Sequence, residues 1–142
     1  MGMLMLKTRQ DSTGRRGQSL VEFALVAPLL LMVVFGTFDL GWAVYAKNTI
    51  TNSAREGARV GVVVSKSDAD IRTQVKHTAA ALGLTDAQIV ISPAGNASAP
   101  YRDHQIALTV TVNYTYTPLT PIIGQILGGG IPLSSSSTMV VE

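Results

Sequence analysis

Gly17 and Glu22 stand five positions apart at the mouth of an apolar run, in Gly17-Gln18-Ser19-Leu20-Val21-Glu22-Phe23. This pair carries the most chemistry in the chain. An ionised carboxylate near the hydrocarbon region of a membrane costs roughly 2.5 to 3.5 kcal/mol on insertion scales, so an acid in this position requires a partner. Cleavage of the chain after Gly17 would supply one. The new α-amino group on Gln18, with an unperturbed pKa of about 7.7 to 8.0, is largely cationic at neutral pH. Glu22 becomes the fifth mature residue, one helical turn from that amine, and can compensate it in its own chain or in a neighbour.

No other group of residues makes a comparable site. His77 and His104 lie far apart in the sequence with no ligand pattern around them, and they read as ordinary exposed or hydrogen-bonded histidines. Ser134 to Ser137 lack the strand-turn-helix setting of a nucleophile and read as solvated strand residues. Gly128-Gly129-Gly130 is followed by neither Lys-Ser nor Lys-Thr, so it is a breaker and not a phosphate loop. Asn96-Ala97-Ser98 and Asn113-Tyr114-Thr115 match the glycosylation acceptor pattern at a level that chance explains. Catalytic residues, metal ligands, a cofactor and a small-molecule substrate are therefore not expected. The chain has no cysteine, which removes disulfides, thiolate metal sites and cysteine nucleophiles together.

The apolar run must position Glu22. No charge interrupts Phe23 to Phe38, and apolar sequence resumes after Asp39 as far as Ala46. As a helix, Phe23 to Ala46 reaches about 36 Å, enough for a hydrocarbon core of about 30 Å. Trp42 and Tyr45 fall near the outer end, where amphipathic rings favour the headgroup level. Asp39 then lies at the outer interface and is expected to be a solvated acid. Pro28 removes one helical hydrogen bond, to the carbonyl of Ala24, and should bend or loosen the helix without ending it.

The charge distribution orients this segment. Of the net charge of +2, residues 1–17 carry +3 through Lys7, Arg9, Arg15 and Arg16 against Asp11, and the other 125 residues carry −1. A basic flank biases its end of a membrane segment toward the cytoplasm. A nucleic-acid partner would need a basic patch on the folded part, and none is present in the sequence. Three fates of the N-terminus compete: an uncleaved anchor, a secretory signal cut after Ala46, and cleavage after Gly17. A conventional signal has an apolar region of about 7 to 15 residues and no need of an acid at its entrance, so the second fits poorly.

Arg15-Arg16-Gly17, followed by Gln18-Ser19-Leu20-Val21-Glu22-Phe23-Ala24-Leu25-Val26-Ala27-Pro28, resembles the prepilin-type cleavage region of the TadE-like family of tight-adherence (Flp) pilus pseudopilins. The second acid, Asp39, and the tract Asn52-Ser53-Ala54-Arg55-Glu56-Gly57-Ala58-Arg59 extend the likeness, which is strong over residues 14–62. The resemblance implies that Gly17 is the last leader residue and Gln18 the first mature one, cut by a prepilin peptidase on the cytoplasmic side. It also implies that Glu22, within the Glu22-Phe23 pair, guides assembly by pairing with the N-terminal amine of an adjacent subunit. The implied partners are other pilin-like subunits and the Tad assembly machinery of the inner membrane. A mature chain of 125 residues is larger than the major pilins of such systems and favours a minor role.

The expected organisation is a leader over 1–17, a transmembrane helix over 18–46, an extracytoplasmic continuation over 47–65 and a small globular domain over 66–142. In the continuation, Ile50, Ser53, Ala54, Gly57, Ala58 and Gly61 gather near one face, which suits either contact between subunits or packing on the protein's own domain. Ser67-Asp68 opens a helix with Ile71, Val75, Ala79 and Leu82 on one face, stopped by Gly83. Strands are expected over 87–92, 106–116 and 133–141, with a short helix over 122–127. The fold class is α+β, a long pilin-like N-terminal helix packed on a small antiparallel sheet. The functional expectation is a TadE-like pseudopilin or minor pilin. The alternative is an uncleaved single-pass protein that presents an extracytoplasmic binding domain.

Overall fold

The computed structural model describes residues 12–98, 100–120, 124–125 and 128–142. Helix α1 spans Ser12–Gly61, 50 residues, and continues through Pro28. Most of its first half is apolar and exposed, including Leu20, Phe23, Leu25, Leu29 and Phe38. From Gly17 to Gly61 it is long and apolar enough to cross a membrane. Among the described residues, nothing covers most of its apolar side chains from Leu20 to Phe38.

The second half of α1 meets the rest of the chain. Helix α2 covers Asp68–Thr78, and three strands follow: β1 Ile89–Ser92, β2 Ala107–Tyr116 and β3 Ile131–Val140. They form an antiparallel sheet in the order β1-β2-β3, with Val112 opposite both Ile89 and Ser135 and Tyr116 opposite Ile131. Alternation along β2 sends Leu108, Val110 and Val112 to the helical side, where they are buried. They pack with Ile89 and Ile91 of β1 against Ala46, Ile50, Ala54 and Ala58 of α1 and Ile71, Val75 and Ala79 of α2. Each large side chain buried here contributes about 1.5 to 3 kcal/mol. The opposite face of the sheet is wet, and its cross-strand hydroxyl pairs, Thr109 with Thr138 and Thr111 with Ser136, are 2.8 Å apart. This is the α+β arrangement anticipated from the sequence.

The stripe from Ile50 to Gly61 is therefore covered by the protein's own domain. Small residues there let α1 approach α2 and β2 closely. A Cβ on Gly57 would lie 2.5 Å from Cγ2 of Val75, and one on Gly61 would lie 2.2 Å from Cδ2 of Leu108. Intersubunit contact through this face, the other reading of the stripe, is excluded by its burial.

Local chemistry moves several boundaries. Helix α2 ends at Thr78 and passes into a 3-10 turn over Ala80–Leu82, which Gly83 terminates at φ +60°. Its N-terminus is closed by a capping box: the Asp70 N–H donates to the Ser67 hydroxyl, and the Ser67 N–H to Asp70. The first strand begins at Ile89, two residues later than the sequence suggests, because Thr85 and Gln88 form a capping box around a second 3-10 turn, Asp86–Gln88. β3 begins at Ile131 instead of Leu133, and its Ser135 and Ser137 are half-buried on the helical side. Lys47 of α1 donates to the Ser134 carbonyl and so ties the helix to β3. The short helix expected over 122–127 lies mostly outside the described residues; Gly124 and Gln125 are helical.

Candidate functional site

Gly17, Gln18, Glu22 and Phe23 all lie within α1, exposed, near its N-terminal end. Helical geometry places positions 18 and 22 one above the other, and the Gln18 side-chain amide donates to Glu22 Oε1 at 3.4 Å. A Cβ on Gly17 would meet nothing within 4 Å, so neighbouring side chains do not impose glycine there. Phe23 is 68% exposed and projects from the same apolar shaft. Gln18 and Glu22 thus share a face, with Phe23 one residue on.

The structure corrects the reading of Asp39. It is one of the few buried polar residues, 5% exposed, in a stretch of helix whose apolar neighbours are exposed. Tyr116 Oη and the Leu119 N–H both donate to Asp39 Oδ1 at 2.7 Å, and the Thr120 N–H donates to Oδ2 at 3.1 Å. The cause lies in the topology. β2 runs down alongside α1, and the chain leaving it at Tyr116 wraps over the helix, presenting two consecutive amides and a phenol to one carboxylate. Three donors replace the water the acid loses, as burial of a charge requires. Burial, reinforced by the hydrogen bond to Asp39, pushes the Tyr116 hydroxyl up to about 12, so it remains a neutral donor.

A signal for this latch was present in the sequence. The buried stripe of α1 does not start at Ile50: Ala46 is buried and Ala43 and Gly36 are half-buried, so steps of three and four lead back through position 39. Asp39 lies on the face that meets the sheet. Reading the apolar run only as a span concealed that register.

A second cluster, also absent from the sequence reading, holds the loop before β2. Arg102, 3% exposed, donates to the Lys66 carbonyl at 3.2 Å and pairs with Asp68. The Gly95 N–H reaches the Asp68 carboxylate at 3.3 Å, and the Tyr101 N–H donates to the Val64 carbonyl at 2.9 Å. These bonds fasten the loop to the α1–α2 junction and are structural in character. His77 and His104 are exposed. Among the described residues no three His, Asp or Glu side chains come together as a metal site.

The fold is an apolar, exposed helical shaft whose far half is docked on a small antiparallel sheet, an α+β arrangement. Residues 17–59 match the family model described as TadE-like protein, the family that the sequence resembles. The matched segment contains Gly17, Gln18, Glu22, Phe23 and Asp39, together with the small-residue stripe through Ala58. No curated protein and no solved structure matches the chain. The family match supports a pilin-like protein associated with the Tad pilus, and the TadE-like family is structural and not enzymatic. The long apolar helix is compatible with a single-pass membrane protein.

Proposed function

We propose that this protein is a TadE-like pseudopilin or minor pilin that takes part in assembling a Flp/tight-adherence pilus or a related secretion apparatus. A prepilin peptidase cuts it after Gly17, and the mature chain begins at Gln18. Glu22 then pairs with the N-terminal amine of an adjacent pilin-like subunit. The protein sits in the inner membrane with its N-terminus inside and its sheet domain outside. The observation that carries this reading is the match of residues 17–59, which begins at the glycine of the cleavage motif. The shared helix face of Gln18 and Glu22 adds to it.

The mature N-terminus, determined by mass spectrometry of protein from its native membrane, tests the proposal. A chain beginning at Gln18 is expected. A chain beginning at Met1 or Gly2 would replace it with the uncleaved anchor, and one beginning at Lys47 with a soluble secreted domain.

A further inference from the structure

The Asp39 latch fixes the height of one turn of the sheet domain against the helix. Because the Leu119 and Thr120 amides hydrogen-bond to Asp39, this turn sits at the level of residue 39 along α1, beside the Tyr116–Ile131 end of the sheet. Its apolar side chain faces outward. Leu119 is 80% exposed, beside Phe38 at 69% and Trp42 at 49%. These three residues, with Asp39, Tyr116 and Thr117, line an open recess of about 400 Å³. It continues without a break into the exposed apolar surface of the shaft.

The length of the shaft gives the occupant. Counted from Phe23, the first residue past Glu22, a hydrocarbon core of about 30 Å reaches about Ala43 on a helix. It takes in the level of Asp39, the first buried polar group of α1 among the described residues. A carboxylate at such a depth is tolerated where protein encloses and hydrogen-bonds it, and Asp39 is enclosed in this way. Trp42 then stands about one turn higher, at the headgroup level that its ring favours.

We propose that the turn over 117–120 is a foot set into the outer leaflet of the membrane, with Leu119 inserted beside Phe38 and Trp42. The hydrocarbon-spanning part of α1 then ends near Ala43, just above this foot, and not at Ala46. The sheet domain sits directly on the lipid at a fixed angle and is not carried on a helical stalk. Lipid is the occupant because the recess is continuous with the shaft and lies level with its end. The inference rests on α1 spanning the membrane and is independent of processing at Gly17.

The absence of native cysteine allows single labelling sites in the full-length chain. Leu119→Cys, Leu30→Cys and Ser136→Cys would each carry a nitroxide in vesicles of phosphatidylethanolamine and phosphatidylglycerol. Accessibility is read against oxygen, which partitions into lipid, and a nickel chelate, which stays in water. A severalfold higher oxygen-to-nickel ratio at 119 than at 136, with 30 higher still, is expected. Equal ratios at 119 and 136, with 30 lipid-like, would overturn the foot and leave the span intact. A water-like ratio at 30 would remove the span and the foot with it. Nitroxide–nitroxide broadening at 119 without lipid accessibility would assign the recess to a second copy of the chain.

Discussion

Tyr116 and Asp39, 77 positions apart in the chain, are joined by a 2.7 Å hydrogen bond from phenol to carboxylate. It connects the end of the central strand to the apolar shaft and makes helix and sheet one body at the point where the shaft emerges. Tyr116→Phe removes this donor while keeping the ring. A hydrogen bond to a charged group is worth about 1.5 to 3 kcal/mol, and the two amides remain, so a loss of about 1 to 2 kcal/mol is expected. Asp39→Ala should cost more, because it strands the Leu119 and Thr120 N–H groups and the Tyr116 hydroxyl together. Thermal unfolding of the detergent-solubilised protein measures both. Full additivity in the double variant would show that the two residues do not act through each other.

The glycines of α1 give a contrast within one helix. Replacing glycine by alanine in a helix interior gains up to about 1 kcal/mol of propensity. At Gly41, where an added Cβ meets nothing within 4 Å, that gain should survive as a modest stabilisation. At Gly57 the same Cβ would lie 2.5 Å from the stiff, β-branched Val75. Overpacking of this kind costs about 1 to 3 kcal/mol and exceeds the propensity gain, so Gly57→Ala should destabilise. Denaturant midpoints of the two variants should shift in opposite directions, and equal shifts would mean that α1 and α2 are less closely packed than the distances state.

Acid should weaken the start of α2. The Ser67 backbone N–H, then its hydroxyl, hold the Asp70 carboxyl below its ordinary value of 3.8. A carboxyl whose folded pKa is depressed stabilises the fold above its unfolded pKa and loses that contribution as pH falls through the folded one. Protection of the first α2 amides from hydrogen exchange should therefore be steady at neutral pH and decline only below about pH 4. Asp70→Asn should remove this pH dependence. A wild-type decline centred near pH 6 would point to a different group.

Periodicity made most of the fold legible, because burial imposes it. The alternation from Leu108 to Tyr116 and the four-residue spacing of Ile71, Val75 and Ala79 each correspond to a buried face. Boundaries were less legible where a side chain closes a local turn: Thr85 with Gln88 pre-empts the start of a strand that β propensity alone would extend. Asp39 and Arg102 were illegible as partners for a different reason. Beside the side chains of Tyr116 and Asp68, their partners are backbone groups of residues 119, 120 and 66, which leave no mark in residue type. A polar residue on a buried stripe shows that a partner is needed, but the topology determines which backbone supplies it.

Glu22 tests the assembly reading most directly. Glu22→Gln preserves the size of the side chain and its reach to Gln18 along the helix face, and it lowers the cost of placing the residue near hydrocarbon. If the carboxylate acts only on its own chain, the variant should insert, be processed and assemble as well as the wild type. If it compensates the amine of a neighbouring subunit, insertion and cleavage should be normal while incorporation into the assembly falls by at least about tenfold, the equivalent of about 1.4 kcal/mol. Gly17→Leu separates the steps, since it should leave a longer, uncut chain in the membrane. Membrane fractionation and intact mass, followed by quantification of the protein in sheared surface filaments or cross-linked complexes, measure each step in turn. Undiminished incorporation of Glu22→Gln would rule out the pairing with a neighbour and leave Glu22 as an acid at the inner interface, satisfied within its own chain.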